Sequence, residues 1–282
     1  MLHGVAARAL ETCLIVFCGF TIAFSQAAQS DAAVKETIGR AQAAYLKGDY
    51  ALARRELESA LAVRVDLAEA HLLLGMVARQ EGKVDDAINS VQEAIKYQPI
   101  YPDAHYLMGK LWFEKRNWKR AEEEANLVLS QYAKFPGAHV LLGDIALATS
   151  REEPALNFFE QALAQPSLNS IVANETRIKI EAVKNYFEFK ANMKNKDYQR
   201  PNFVVEAQIG KGIKPIPHRK GMVILKGVCN DQGRFTSYIV VYSTDDQIAE
   251  AFLQRVAQNQ HTPAKKKGVP VPLWIIIQYK HD

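Results

Sequence analysis

Apolar positions recur at helical spacing through the first two thirds of the chain and alternate in the last quarter. Ala53, Leu57 and Ala60 fall on one face of a helix, whereas Val223, Leu225, Gly227 and Cys229 share one face of a strand. The helical part also repeats itself. Ala70-His71-Leu72-Leu73-Leu74-Gly75, Ala104-His105-Tyr106-Leu107-Met108-Gly109 and Ala138-His139-Val140-Leu141-Leu142-Gly143 each start 34 residues after the last. The same step links Ala41 to Gly75, Gly109 and Gly143, and Ala53 to Ala87, Ala121 and Ala155. The pattern predicts four helix-turn-helix repeats over 34–169, with Gly48 and Gly82 in turns. A single hairpin cannot bury its apolar face. Stacked neighbours do, and the first helix of each repeat is then expected to line a concave groove.

After Asn169 the period is lost. The stretch 171–195 predicts one further helix, able to cover the last repeat. The prolines and glycines between Lys194 and Lys220 read as a linker, so that 170–210 is capping helix and linker and 211–282 a second domain. A strand from Gly221, a turn at Asn230-Asp231-Gln232-Gly233 and a strand over 235–242 predict a hairpin. Ser243 or Thr244 is expected to cap a helix whose first turn holds Asp245 and Asp246, with Ile248, Ala251, Phe252, Leu253 and Val256 on its buried face. A last strand is expected over 271–279.

The period of 34, with small residues where two helices approach, resembles the tetratricopeptide repeat, and Pro99 falls at that family's repeat-ending position. The first and third repeats lack this proline, Pro166 comes one residue early in the fourth, and Trp112 is the one large aromatic at the first-helix consensus site. The resemblance implies an array that binds a protein partner. Spacing of i, i+4 and i+7 selects a stripe of Ile38, Gln42, Tyr45; Leu72, Met76, Arg79; Tyr106, Lys110, Phe113; and Val140, Asp144, Leu147. From it Gln42, Tyr45, Met76, Arg79, Tyr106, Lys110 and Phe113 are the candidate contacts to an extended peptide, because aromatics and Arg give large contact area at modest ordering cost.

The strand-strand-helix-strand order, with Gly221-x-Val223-x-Leu225, Gly233-x-Phe235, Pro263-Ala264-x-x-x-Gly268 and Pro270-Val271-x-Leu273-x-Ile275-x-Ile277, resembles the TonB C-terminal domain over 211–279. Gly227, Asn259 and His261 depart from that family's pattern. The resemblance implies a periplasmic domain that captures a segment of an outer-membrane receptor by adding it as a strand. The edge that would receive it here is Val271, Leu273, Ile275, Ile277 and Tyr279. The expected fold is therefore an α-helical tetratricopeptide solenoid followed by a small α+β domain of β-β-α-β order.

Composition narrows the class. With 48% hydrophobic and 23% charged residues the chain is an ordinary globular protein, neither disordered throughout nor a multi-span membrane protein. Charge is uneven: residues 28–199 carry a net −2 and residues from 200 onward a net +6. That excess is read as a solvated surface, with binding to cell-wall polymers as an alternative. Arg8, the apolar run 13–24 and Ser25-Gln26-Ala27 read as an export signal over 1–27. The run is shorter than the roughly 20 residues that a span needs, so a periplasmic protein is expected. The alternative is a TonB-like transport component anchored in the inner membrane by an uncleaved segment. Phe17 before Cys18 speaks against lipidation, and removal of the signal leaves Cys229 as the single cysteine.

Catalytic motifs are missing. There is no His-Glu-x-x-His, Gly-x-Ser-x-Gly, Cys-x-x-Cys or phosphate-cradling loop. His71, His105 and His139 recur at one repeat position, but equivalent positions on stacked helices lie roughly 8–10 Å apart, too far to share a zinc. Lys265, Lys266 and Lys267 lack the interleaved aromatics of a nucleic-acid site. No cofactor, metal, nucleic acid or enzymatic activity is expected. The expected function is an exported adaptor between proteins of the cell envelope.

Overall fold

The computed structural model describes residues 31–192, 194–199 and 221–281. The expected signal segment and residues 200–220 of the expected linker and second domain lie outside them. The chain divides into two compact units, Met1–Leu111 and Trp112–Asp282.

The first unit holds α1 (31–46), α2 (Tyr50–Val63), α3 (Ala68–Gln80), α4 (Val84–Tyr97) and most of α5 (Pro102–Glu114). Asp49 caps α2 by accepting a hydrogen bond from the Leu52 amide at 3.0 Å. Gly48 and Gly82 end the first helix of their repeats with φ of 78° and 76°, a conformation that costs any residue with a Cβ. The small residues of the repeat are buried, as Ala41, Ala53, Ala60, Ala70 and Ala87 show. At Gly75 a Cβ would strike the Val91 side chain, which is why α3 and α4 can pack as closely as they do. The recurring histidines close the loops: Nε2 of His71 meets the Val65 carbonyl at 2.8 Å, and Nε2 of His105 meets the Pro99 carbonyl at 3.1 Å.

In the second unit α6 (Trp118–Gln131), α7 (Pro136–Ala148), α8 (Glu152–Leu163) and the long α9 (Ser170–Ala191) lead into β1 (Tyr198–Gln199). Then come β2 (Gly221–Cys229), β3 (Phe235–Ser243), α10 (Asp246–Gln258), β4 (Ala264–Lys266), β5 (Val269–Val271) and β6 (Leu273–His281). The larger sheet is antiparallel in the order β3-β2-β6, and the smaller has the order β1-β4-β5. One face of the larger sheet buries Val223, Leu225, Phe235 and Ile277 under Ile248, Phe252 and Val256 of α10. The opposite face supplies Val228, Ile239 and Trp274 to a core that also contains Leu147, Phe159, Ile180 and Val183. Helices of the last repeat and the sheet therefore share one hydrophobic core. Truncating a fully buried aromatic such as Phe159 or Trp274 in such a core costs about 3–5 kcal/mol.

Three local expectations are corrected. Asp245 is the N-cap of α10, accepting from the amides of Gln247 and Ile248 at 2.8 and 3.2 Å, while the Ser243 hydroxyl accepts from the Asp245 amide. Residues 264–271, for which no strand was expected before Val271, form a hairpin. Lys267 and Gly268, at φ of 51° and 81°, make the tight turn of a β4–β5 hairpin. Val271 consequently belongs to β5, opposite Ala264, because Pro272, which has no amide hydrogen to pair, separates it from β6.

Candidate partner-binding surfaces

In the first unit, helix geometry places Gln42 and Tyr45 on α1, Met76 and Arg79 on α3, and Tyr106 and Lys110 on α5, all half-buried. Ile38 and Leu72, the remaining members of the stripe on α1 and α3, are buried in the unit's interior. Gln42 donates through Nε2 to Glu69 Oε1 at 2.8 Å. The Tyr45 ring lies 5.8 Å from that of Tyr50, and its hydroxyl accepts from Gln80 Nε2 at 3.3 Å. Lys110 Nζ sits 5.6 Å from the centre of the Tyr106 ring. These contacts hold aromatic and polar groups in fixed positions with part of each surface open, an arrangement suited to contacting a peptide without further ordering.

Equivalent positions in the second unit are engaged by the chain itself. Phe113 meets Trp118 edge-on at 5.1 Å and packs, with Val140, against the core that the sheet completes. Leu147 is fully buried in that core. Asp144 is paired with Lys179 of α9 at 2.6 Å. Phe113, a candidate peptide contact, is half-buried here with its ring against Trp118.

At the larger sheet, β6 pairs with β2 from Gly221↔His281 to Cys229↔Leu273, and no strand flanks its other side among the described residues. The side chains are turned inward: Ile275, Ile277 and Tyr279 pack toward α10, with the Tyr279 ring stacked on Phe252 at 4.4 Å. Leu273 is buried with Phe189 and Ala264. What β6 can offer a partner is backbone. Ile276, on the opposite face, is half exposed.

The second unit contains a polar clamp that the alternation of β2 did not single out. Lys226 is 3% exposed. Its Nζ donates to the Leu147 and Ala148 carbonyls at 3.1 and 3.2 Å and to Ser150 Oγ at 2.7 Å. These carbonyls belong to the last turn of α7, where the helix dipole favours a cation. Burial pushes the amine below the ordinary lysine value, against the pull of Glu152. One signal in the sequence could have located this contact. The repeat step carries Gly48 and Gly82 to Arg116 and Ser150, which keep the left-handed conformation at φ of 59° and 60°. Both replacements reach the C-terminal elements, Ser150 through Lys226 and Arg116 through an ion pair with Asp246 at 3.1 Å.

Cys229 is buried, and desolvation pushes its thiol up to about 11, so it is mostly un-ionised near neutral pH. Among the described residues no cluster of His, Cys, Asp or Glu could hold a metal ion, and no helix is long and apolar enough to cross a membrane.

Comparison with known proteins supports the repeats. The tetratricopeptide repeat model matches residues 38–88 and 72–138. Protein O-mannosyl-transferase Tmtc1 of Drosophila melanogaster is 27% identical over 99 residues, which is 33% of this chain and 12% of that protein. The chain thus spans about an eighth of that relative. Among solved structures, PilF of Pseudomonas aeruginosa is similar with a TM-score of 0.52 at 16% identity, covering 59% of this chain and 74% of that one. The Cut9–Hcn1 assembly of the APC/C is similar with the same TM-score and identity, covering 57% of this chain and 32% of that one. At such identities the likeness shows the fold. The helical hairpins of period 34, with their close-packed small residues, are accordingly tetratricopeptide repeats, matched by the family model over residues 38–138.

Proposed function

We propose that the chain is an exported adaptor between proteins of the bacterial cell envelope, located in the periplasm. Its repeats hold a segment of one partner against α1, α3 and α5. Its C-terminal sheet takes up a strand of another, such as an outer-membrane protein, along the backbone edge of β6. The observation that carries the first half is the half-buried row of Gln42, Tyr45, Met76 and Arg79, in which Gln42 and Tyr45 are held by hydrogen bonds with Glu69 and Gln80. The resemblance of residues 211–279 to the TonB C-terminal domain, together with the unflanked side of β6, supports the second half. The reading is of a binding protein. The transferase activity in the name of Tmtc1 belongs to that protein, most of whose length has no counterpart here.

Photo-crosslinking in cells tests this reading. A benzophenone side chain at Met76 should capture a defined protein, and one at Ile276 a different one. Combining Tyr45→Ala with Arg79→Glu should weaken capture at Met76 by about 30-fold or more, the scale of a lost hot spot. Absence of capture at Met76, or indifference to the double substitution, refutes the groove. An intact Met1 recovered in the membrane fraction refutes the periplasmic location and favours an anchored transport component.

A further inference from the structure

The C-terminal end of α9 and the β4–β5 hairpin bring together lysines that are far apart in sequence. Lys190, Lys194 and Lys196 belong to or follow α9, and Lys265, Lys266 and Lys267 lie in β4 and the turn after it. Register sets the segment that follows α9 beside β4. Tyr198 pairs with Lys266 and Gln199 with Lys265, while the Lys267 amide donates to the Asp197 carbonyl at 2.6 Å. Glu188 pins the arrangement by accepting from Lys266 Nζ at 2.6 Å and from the Tyr198 hydroxyl at 2.7 Å. Besides Glu188, Asp197 is the one acidic residue among the described residues of these segments. Lys190, Lys194, Lys196 and Lys267 are exposed. The hairpin adds an apolar tip, because Val269 is 62% exposed and Pro270 beside it is exposed as well.

We infer that this face is a docking surface for an anionic phospholipid bilayer. Amines grouped around an exposed valine match a surface that presents negative headgroups above hydrocarbon. A single-stranded nucleic acid fits less well. It would need free aromatic faces to stack on, but the Tyr198 hydroxyl is held by Glu188 and its ring meets Phe189 edge-on at 5.2 Å. The described residues of the cluster contain no arginine, the side chain suited to bidentate reading of phosphate. Lysines act here as point charges, which suits a fluid array of headgroups.

Cosedimentation of the full chain with vesicles tests the inference. Burial of apolar groups does not depend on headgroup charge, so the informative quantity is the preference for phosphatidylcholine vesicles containing phosphatidylglycerol over vesicles of phosphatidylcholine alone. At low salt that preference should be about tenfold or more, and it should fall as salt rises. Lys194→Ala, Lys265→Ala and Lys267→Ala together should abolish it. The same number of charges removed at the exposed Lys35, Lys47 and Lys134 should leave it within about twofold. Equal binding to both vesicle types, equal loss in both triple variants, or tighter binding of a single-stranded oligonucleotide through the same three lysines overturns the inference.

Discussion

Lys226 shows how one residue in an alternating strand can escape a reading based on alternation. Its position on β2 marks it as facing away from α10, and a lysine on such a face is ordinarily solvated. It is buried instead, because the face opposite α10 packs against the last repeat and offers three acceptors at the end of α7. Lys226→Met removes the donor and leaves the Leu147 and Ala148 carbonyls without this partner, at an expected cost of about 1–3 kcal/mol to the second unit. The pH dependence has a definite sign. Because the folded amine titrates below 10.5, the folded state sheds its proton while the unfolded chain still holds one. Unfolding in that window takes up a proton, so stability rises with pH up to about 10.5 and is lost as pH falls through the lowered folded value. Urea midpoints measured between neutrality and this value should climb more steeply for the native chain than for Lys226→Met. Parallel slopes would show that another group is responsible.

At the level of elements, the turn between the two helices of each repeat separates what sequence reveals from what it hides. Gly48 and Gly82 marked turns, and the structure has a left-handed residue at each. Arg116 and Ser150 occupy the same step of the repeat without announcing anything, since a side chain there costs about 1–2 kcal/mol and is retained for contacts made far along the chain. The two should respond oppositely to glycine. Arg116→Gly relieves the strain and removes only an exposed ion pair, for a net gain of about 0–1 kcal/mol. Ser150→Gly relieves the same strain but takes an acceptor from the buried amine, for a net loss of about 1 kcal/mol. Thermal unfolding of the two variants decides this, and a shift of the same sign in both would remove the contrast. The helices themselves were legible because local periodicity encodes them. The β4–β5 hairpin was not, since its strands are three residues each and Pro270 breaks the alternation.

On the scale of the whole molecule, period and alternation identified helical repeats followed by a small sheet, but they could not show that Val228, Ile239 and Trp274 would complete a core begun by Leu147 and Phe159. Burial on both faces of a sheet is settled by what packs there, and β2 reads the same whether its second face meets water or helices. The tryptophans carry a practical consequence. Trp112, Trp118 and Trp274 all fall after Leu111, so indole emission is an optical probe of the second unit, to which the first makes no contribution of its own. A peptide that stays on α1 and α3, clear of Trp112 on α5, should leave the emission maximum where it is. One that zips along β6, on which Trp274 is fully buried, should shift it, and a Trp112→Phe variant separates this shift from that of a peptide reaching α5.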